Sequence, residues 1–104
     1  MTDDKIIKEI SAEMKSKFSD FYGIYFFGSR ARGEGNNESD IDIAVLFDRK
    51  IDWRFEGIIF DIITEYMLKY DIILDVKVYS KEDILKPITR FRYTVKKEGI
   101  FYGI

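Results

Sequence analysis

Two apolar runs flank a short polar loop in the first half of the chain, and this arrangement limits the folds open to it. The first run is Ile24–Phe27, and the second, Asp40–Phe47, opens with Asp-Ile-Asp. The loop between them, residues 28–39, begins with Gly-Ser and is rich in Gly, Asn and Glu. Short runs of β-branched and aromatic residues favour strands. The sequence therefore predicts two strands meeting at one edge, with a glycine turn facing two carboxylates.

Acidic residues interrupt two of the predicted strands. Asp40 and Asp42 are two positions apart, which places them on one face of a strand with Cα atoms roughly 6.6 Å apart. Both carboxylates can then lean toward a shared cation. Asp75 lies inside the alternating run Ile72–Tyr79, where an acidic residue is disfavoured unless it has a partner or solvent. Its partner is either a cation bound with the first two carboxylates or its same-face neighbour Lys77.

The Gly-Ser turn supplies a second kind of chemistry. Gly28 can adopt a positive φ angle and lets a ligand approach the backbone, and Ser29 begins a segment whose N–H groups and hydroxyl can cradle phosphate oxygens. Each motif also has a purely structural reading, since Gly-Ser turns are common and an Asp-x-Asp pair can mark a solvated strand end. Their combination at this spacing favours a site for phosphate and metal.

Composition narrows the chemistry further. A chain of 104 residues predicts a single domain over 1–104. It has no cysteine and no histidine, which excludes disulfides, thiolate zinc sites and Ser-His-Asp hydrolysis and leaves carboxylates with hard cations. A net charge of −2 argues against direct nucleic-acid binding. The absence of a long apolar run and the acidic N-terminus predict a cytoplasmic protein without membrane association.

The remaining periodicity predicts the elements around these strands. Asp52 is the expected N-cap of the second long helix. Ser80 with Asp83 resembles a capping box that starts a last helix, which Pro87 divides and Gly99 ends. Residues 100–102 add a short edge strand or dock apolar side chains. The result is an α/β (α+β) fold with a small mixed sheet of three main strands covered by helices. The predicted long helices span residues 4–18 and 53–69, and the predicted strands span 22–27, 40–47 and 72–79.

The spacing of these motifs resembles a known signature. Gly28-Ser29, ten residues and then Asp40-x-Asp42, with Arg30, Arg32 and Gly33 between, is similar to the signature of the DNA polymerase beta-type nucleotidyltransferase superfamily. The small size resembles its minimal nucleotidyltransferase branch, found in HEPN/MNT toxin–antitoxin pairs. This resemblance covers nearly the whole chain and implies the polymerase beta-type fold.

The resemblance also implies roles for these residues. The Gly28-Ser29 turn would hold the nucleoside triphosphate, Asp40 and Asp42 would bind magnesium, and a third carboxylate would come from a later strand. The segment around Asp75 is similar to the one that carries it, with Asp71 as the competitor. Arg30 or Arg32 would offset phosphate charge; alternatively, one or both are solvated turn residues.

The implied activity is transfer of a nucleoside monophosphate, expected to be AMP from ATP, onto a hydroxyl with two Mg²⁺ ions, or Mn²⁺, at the carboxylates. By resemblance the acceptor is a tyrosine of a HEPN-type helical toxin, which makes the protein an AMPylating antitoxin. Two alternatives stay open: a small-molecule enzyme of the aminoglycoside-modifying kind, and an antitoxin that acts by binding alone with a weak or vestigial site.

The aromatic content also points to a partner. The aromatic side chains exceed what so small a core can hide, which predicts an acceptor surface completed by another polypeptide. The alternatives are internal packing and a homodimer. The aromatic residues in question are Trp53, Tyr66, Tyr70, Phe101 and Tyr102.

Overall fold

A computed structural model describes residues 3–35, 40–86 and 89–103 of the chain, without the side chain of Phe91. Pro87, which was predicted to divide the last helix, lies outside the described residues. The elements are α1 (Asp3–Lys17), β1 (Phe21–Phe27), α2 (Gly28–Ala31), β2 (Ile41–Phe47), α3 (Trp53–Tyr70), β3 (Leu74–Ser80), α4 (Lys81–Leu85), α5 (Arg90–Glu98) and β4 (Ile100–Gly103).

The four strands form one mixed sheet in the order β3-β2-β1-β4. β1 is antiparallel to both β2 and β4, whereas β2 and β3 are parallel. The predicted α/β class and mixed sheet are confirmed. The sheet has four strands where three main strands were predicted, because the last apolar segment pairs with β1 as an edge strand.

The alternation of β2 assigns its side chains to two different layers. Its residues at 41, 43, 45 and 47 are buried against α1 and α3, where they form the larger core cluster. Ala44 and Leu46 point to the opposite face and are buried with Tyr25, Ile84 and Val95. Helices therefore cover both faces, and the Asp42 face is the one shared with α4 and α5.

The start of β3 differs from the prediction. The strand begins at Leu74 rather than Ile72, because the Ile72 amide donates back to the Met67 carbonyl at the end of α3. Asp71 adopts a left-handed conformation with φ 51° and ends that helix. Ile73 is 64% exposed. Asp71 therefore lies in the connection between α3 and β3, together with Ile72 and Ile73.

The C-terminal region follows the predicted caps. Ser80 accepts a hydrogen bond from the Asp83 amide (3.4 Å) and caps α4. α5 begins at Arg90, with Thr89 as its N-cap. At Gly99, which ends α5, a Cβ would lie 2.5 Å from the Val95 carbonyl. No helix in the described ranges is long and apolar enough to cross a membrane.

Candidate functional site

The site begins with two carboxylates on neighbouring parallel strands. Asp42 of β2 and Asp75 of β3 are direct register partners. On the other side of β2, Asp42 is paired with Phe27, the last residue of β1. Because the chain turns immediately after Phe27, this register brings the Gly-Ser turn next to the carboxylate pair. The predicted convergence of the first strand's end with Asp42 and Asp75 is therefore present.

Gly28 is required by a contact inside the protein. Its φ angle is +83°, a conformation that is costly for residues with a Cβ. A Cβ here would lie 2.1 Å from Oδ2 of Asp42, which is far inside van der Waals contact. The positive φ angle was predicted from the sequence. The group that approaches this backbone is the Asp42 carboxylate itself, so Gly28 makes room for that side chain.

The electrostatics of the pair favour a bound cation. Burial raises the pKa of Asp42 above its ordinary value, and the negative charge of Asp75 and a hydrogen bond to it raise this pKa further. Asp40 adds a smaller effect in the same direction, while the positive charge of Lys77 opposes it. A like charge beside a carboxylate disfavours its ionised form. A divalent cation between the two groups would remove this repulsion.

Asp40 stands apart from this pair. It is exposed and directly precedes β2, and its influence on Asp42 is electrostatic. Among the described residues, no group of three or more acidic side chains lies close enough to hold a metal ion. The structure thus brings Asp42 and Asp75 together and leaves Asp40 at the margin. On the other side, Lys77 Nζ lies 3.5 Å from Asp75 Oδ1, which is the same-face ion pair that the sequence left open as an alternative to a bound cation.

The Gly-Ser turn folds into a compact loop. Gly28–Ala31 forms one helical turn, α2. The residue before it, Phe27, has no side-chain group that could cap the first amides. The Ser29 carbonyl accepts hydrogen bonds from the amides of Glu34 (2.9 Å) and Gly35 (3.1 Å). These hydrogen bonds close the loop over residues 29–35, and the phosphate-binding role of Ser29 stays a prediction.

The two arginines of the loop have carboxylate partners. Arg30 donates to both oxygens of Asp3 at the start of α1, from Nε at 2.9 Å and from Nη2 at 2.6 Å. Arg32 is exposed, and its Nε donates to Glu34 at 3.0 Å. The sequence suggested a phosphate role for Arg30 or Arg32, with solvated turn residues as the alternative, and gave no sign of the contact with Asp3. No local pattern could have found this contact, since the two residues are 27 positions apart.

The aromatic residues proposed for a partner surface have different environments. Tyr66 is buried, and its hydroxyl donates to Glu13 at 2.6 Å. The hydroxyl of Tyr70 donates to Glu9, and that of Tyr102 to Asp4. Trp53 is 75% exposed and Phe101 is 42% exposed. Trp53 begins α3, whereas the Phe101 ring packs beside Tyr25 on the other face. The five residues therefore do not form one surface.

Comparison with known proteins adds a sequence relationship. The family described as nucleotidyltransferase domain matches residues 7–102. "Putative protein adenylyltransferase MJ0604" of Methanocaldococcus jannaschii is 37% identical over 101 residues, covering 95% of this chain and 96% of that protein. This relative is therefore similar over almost its whole length.

Two solved structures share the fold. The crystal structure of a "putative nucleotidyltransferase" from Sulfolobus solfataricus has a TM-score of 0.65 at 24% identity, covering 94% of this chain and 77% of that one. A toxin-antitoxin structure with AMP-PNP also has a TM-score of 0.65, at 22% identity, covering 99% and 75%. At these identities the likeness concerns the fold, and it confirms the predicted architecture.

Proposed function

Because the chain belongs to the nucleotidyltransferase domain family, we propose that it transfers the adenylyl group of ATP to a hydroxyl of another protein. One observation carries the proposal: Asp42 and Asp75 are register partners, and the Asp42 carboxylate lies so close to the glycine turn that a Cβ on Gly28 would collide with it. The similarity to a protein named as an adenylyltransferase supports the choice of a protein acceptor.

The carboxylate pair fits a divalent metal ion. The ionised form of Asp42 is disfavoured by burial and by Asp75, so a cation would stabilise both groups. The chain has no histidine or cysteine, and an all-oxygen ligand set suits Mg²⁺ or Mn²⁺. Asp42 and Asp75 would hold the metal, with Asp40 joining them. When bound, such ions neutralise phosphate charge and lower the pKa of an attacking hydroxyl.

Other residues of the chain would bind the phosphates of ATP and accept a proton during the transfer. The first amides of α2 and the Ser29 hydroxyl would bind phosphate oxygens of ATP. Asp75, on the outer side of the pair, would accept the proton of the acceptor hydroxyl. The acceptor oxygen would form a bond to the α-phosphorus, and the bond from that phosphorus to the bridging oxygen of pyrophosphate would break. Pyrophosphate would leave with its electron pair.

The proposed acceptor is a tyrosine of a HEPN-type helical toxin, which would make this protein an antitoxin. Two observations support a protein partner. One of the solved structures with this fold is described as a toxin-antitoxin. Large apolar side chains are exposed on α3 and its end, including Trp53 at 75% and Leu68 at 79%. Tryptophan is among the side chains that contribute most strongly to protein interfaces.

The test follows the phosphorus atoms of ATP. The protein is co-expressed and purified with a HEPN-type helical protein, and the complex is incubated with α-labelled or γ-labelled ATP and Mg²⁺. We expect label from the α position alone, with a mass increase of one AMP on a partner tyrosine. The Asp42→Asn variant should lose this modification, while Asp71→Asn, an acid of the neighbouring loop, should keep it.

Three outcomes would contradict the proposal. Transfer from the γ position would identify a kinase. Inhibition of the partner by Asp42→Asn as strong as that by the unaltered protein would identify a binding-only antitoxin. Efficient modification of an aminoglycoside by the isolated protein, without modification of the partner, would identify a small-molecule enzyme.

A further inference from the structure

The guanidinium of Arg30 is engaged with the start of α1. Its Nε and Nη2 atoms donate to the two oxygens of Asp3 in a fork-like, bidentate arrangement. The side chains of Arg30 and Asp3 are only 16% and 19% exposed. Bidentate arginine–carboxylate pairs combine charge with a fixed geometry. This pair therefore connects the turn beside the carboxylates to a separate element of the fold.

The loop itself holds Arg30 in place. The amides of Glu34 and Gly35 fold back onto the Ser29 carbonyl. A Cβ on Gly35 would lie 2.6 Å from Cγ of Arg30, so the backbone of the loop covers the stem of the arginine. With its stem covered and its end bound to Asp3, Arg30 is held from both sides.

The other end of the pair is also held firmly. Asp3 is the first residue of α1, and the buried Ile6 and Ile7 one turn later fix this helix in the core. The neighbouring Asp4 accepts a hydrogen bond from Tyr102 of β4 at 2.8 Å. The start of α1 therefore contacts two different parts of the molecule through two adjacent acids.

From these contacts, we propose that Arg30 is a positioning residue, which fixes the Gly28-Ser29 turn by binding Asp3 and does not bind the triphosphate directly. Moving the guanidinium to a phosphate would leave the partly buried Asp3 carboxylate without its bidentate partner, and separating such a pair is costly. The proposal rests on the proposed function, because it takes the turn to be the nucleotide-binding element.

Calorimetric measurement of AMP-PNP binding in the presence of Mg²⁺ distinguishes a positioning role of Arg30 from direct phosphate binding. The two roles predict different effects of Asp3→Asn on the affinity. The variants are Asp3→Asn, Arg30→Met and their combination. If Arg30 acts through Asp3, each single variant should weaken binding by roughly tenfold, as expected for one charge-assisted contact, and the double variant should be no weaker. Asp4→Asn is the matched control, since it removes an equal charge from the same helix turn, and it should bind normally.

The opposite pattern would overturn the proposal. If Arg30 binds phosphate directly, Asp3→Asn should release it and leave binding unchanged or tighter, while Arg30→Met should still weaken binding. Hydrogen exchange of residues 28–35 gives a second readout without nucleotide. Exchange should be faster in Asp3→Asn than in Asp4→Asn, and equal rates would refute the positioning role. If the unaltered protein does not bind AMP-PNP, the proposed function fails, and the exchange comparison still tests the contact.

Discussion

The two faces of the sheet carry different kinds of side chain. The face toward α1 and α3 carries a large apolar cluster in which β2 places four buried side chains, ending at Phe47. The face toward α4 and α5 has a smaller cluster around Ala44 and Leu46. On this same face, near the start of β2, Asp42 lies beside Asp75. One strand thus supplies both faces with opposite chemistry. Because the apolar cluster and the carboxylate pair lie on opposite faces, the first can stabilise the fold while the second holds two carboxylates that repel each other.

The difference has an energetic basis. Burial of apolar side chains contributes about 25 cal/mol for each Å² removed from water, and most fully buried side chains lie on the first face. The carboxylate pair on the second face opposes folding at neutral pH, because burial and repulsion disfavour the charge on Asp42. Changes on the two faces should therefore affect stability and activity separately.

The largest expected effect on stability is on the first face. Phe47 is fully buried and makes edge contacts with the rings of Phe18, Phe21 and Phe55. Phe47→Ala should lower the free energy of unfolding by about 3–5 kcal/mol, measured by urea denaturation. Leu68→Ala, at a residue 79% exposed, should change it by less than about 0.5 kcal/mol. Equal effects would mean that this face does not carry the stability.

The next effect should appear in activity alone. Asp42→Asn should lower the rate of adenylyl transfer by at least about 100-fold, the size found for lost electrostatic contacts at reacting groups. Without metal ions its melting temperature should be unchanged or higher, because a repulsion is removed. Asp71→Asn is the control, since asparagine tolerates the left-handed conformation of that position. An active Asp42→Asn variant or an inactive Asp71→Asn variant would overturn the site assignment.

A pair of glycines can sharpen the comparison. Gly28 and Gly33 both have positive φ angles, but a Cβ on Gly28 would collide with Asp42, whereas a Cβ on Gly33 would meet nothing within 4 Å. Both alanine variants should lose about 1–2 kcal/mol from backbone strain. Gly28→Ala should in addition displace the carboxylate and lower transfer, measured with α-labelled ATP. Equal transfer rates in the two variants would show that the close approach has no role.

Much of this arrangement could be read from local patterns. The alternation in β2 predicted both faces, because side chains alternate in every strand regardless of what surrounds it. The Gly28-Ser29 break predicted the positive φ angle, and the caps at Asp52 and Ser80 were confirmed since a cap depends on residues only three apart. The pairing of Asp75 with Lys77 is local in the same sense.

The remaining features depend on contacts that no local pattern contains. Arg30 binds Asp3 because α1 begins beside the loop in the folded chain, and both residue types would be equally suited to solvent. Tyr66 can be buried because its hydroxyl donates a hydrogen bond to Glu13 on another helix. The late start of β3 follows from a hydrogen bond that continues the end of α3. Each of these outcomes was decided by tertiary packing.

The smallest expected effect is a pH dependence of stability in the absence of divalent cations. The pKa of Asp42 in the folded protein lies above its ordinary value of 3.8, because of burial and then the charge of Asp75. The folded state therefore takes up this proton at a higher pH than the unfolded chain does. Ionised Asp42 lowers stability near neutral pH, and this unfavourable contribution should disappear as the pH falls toward 3.8.

Comparison with Asp42→Asn isolates this contribution from that of other acids. The pKa of Glu13 is lowered by Lys17 and Tyr66, and that of Asp20 by Arg49. The contribution of such groups to protein stability is lost in acid, but the loss is the same in the unaltered protein and in Asp42→Asn. Urea denaturation in EDTA from pH 7 to 4 should show the unaltered protein gaining stability relative to the variant. Mg²⁺ should abolish the trend, because a bound cation favours the ionised carboxylate. A difference that stays constant with pH would mean that the carboxylates do not repel each other in solution.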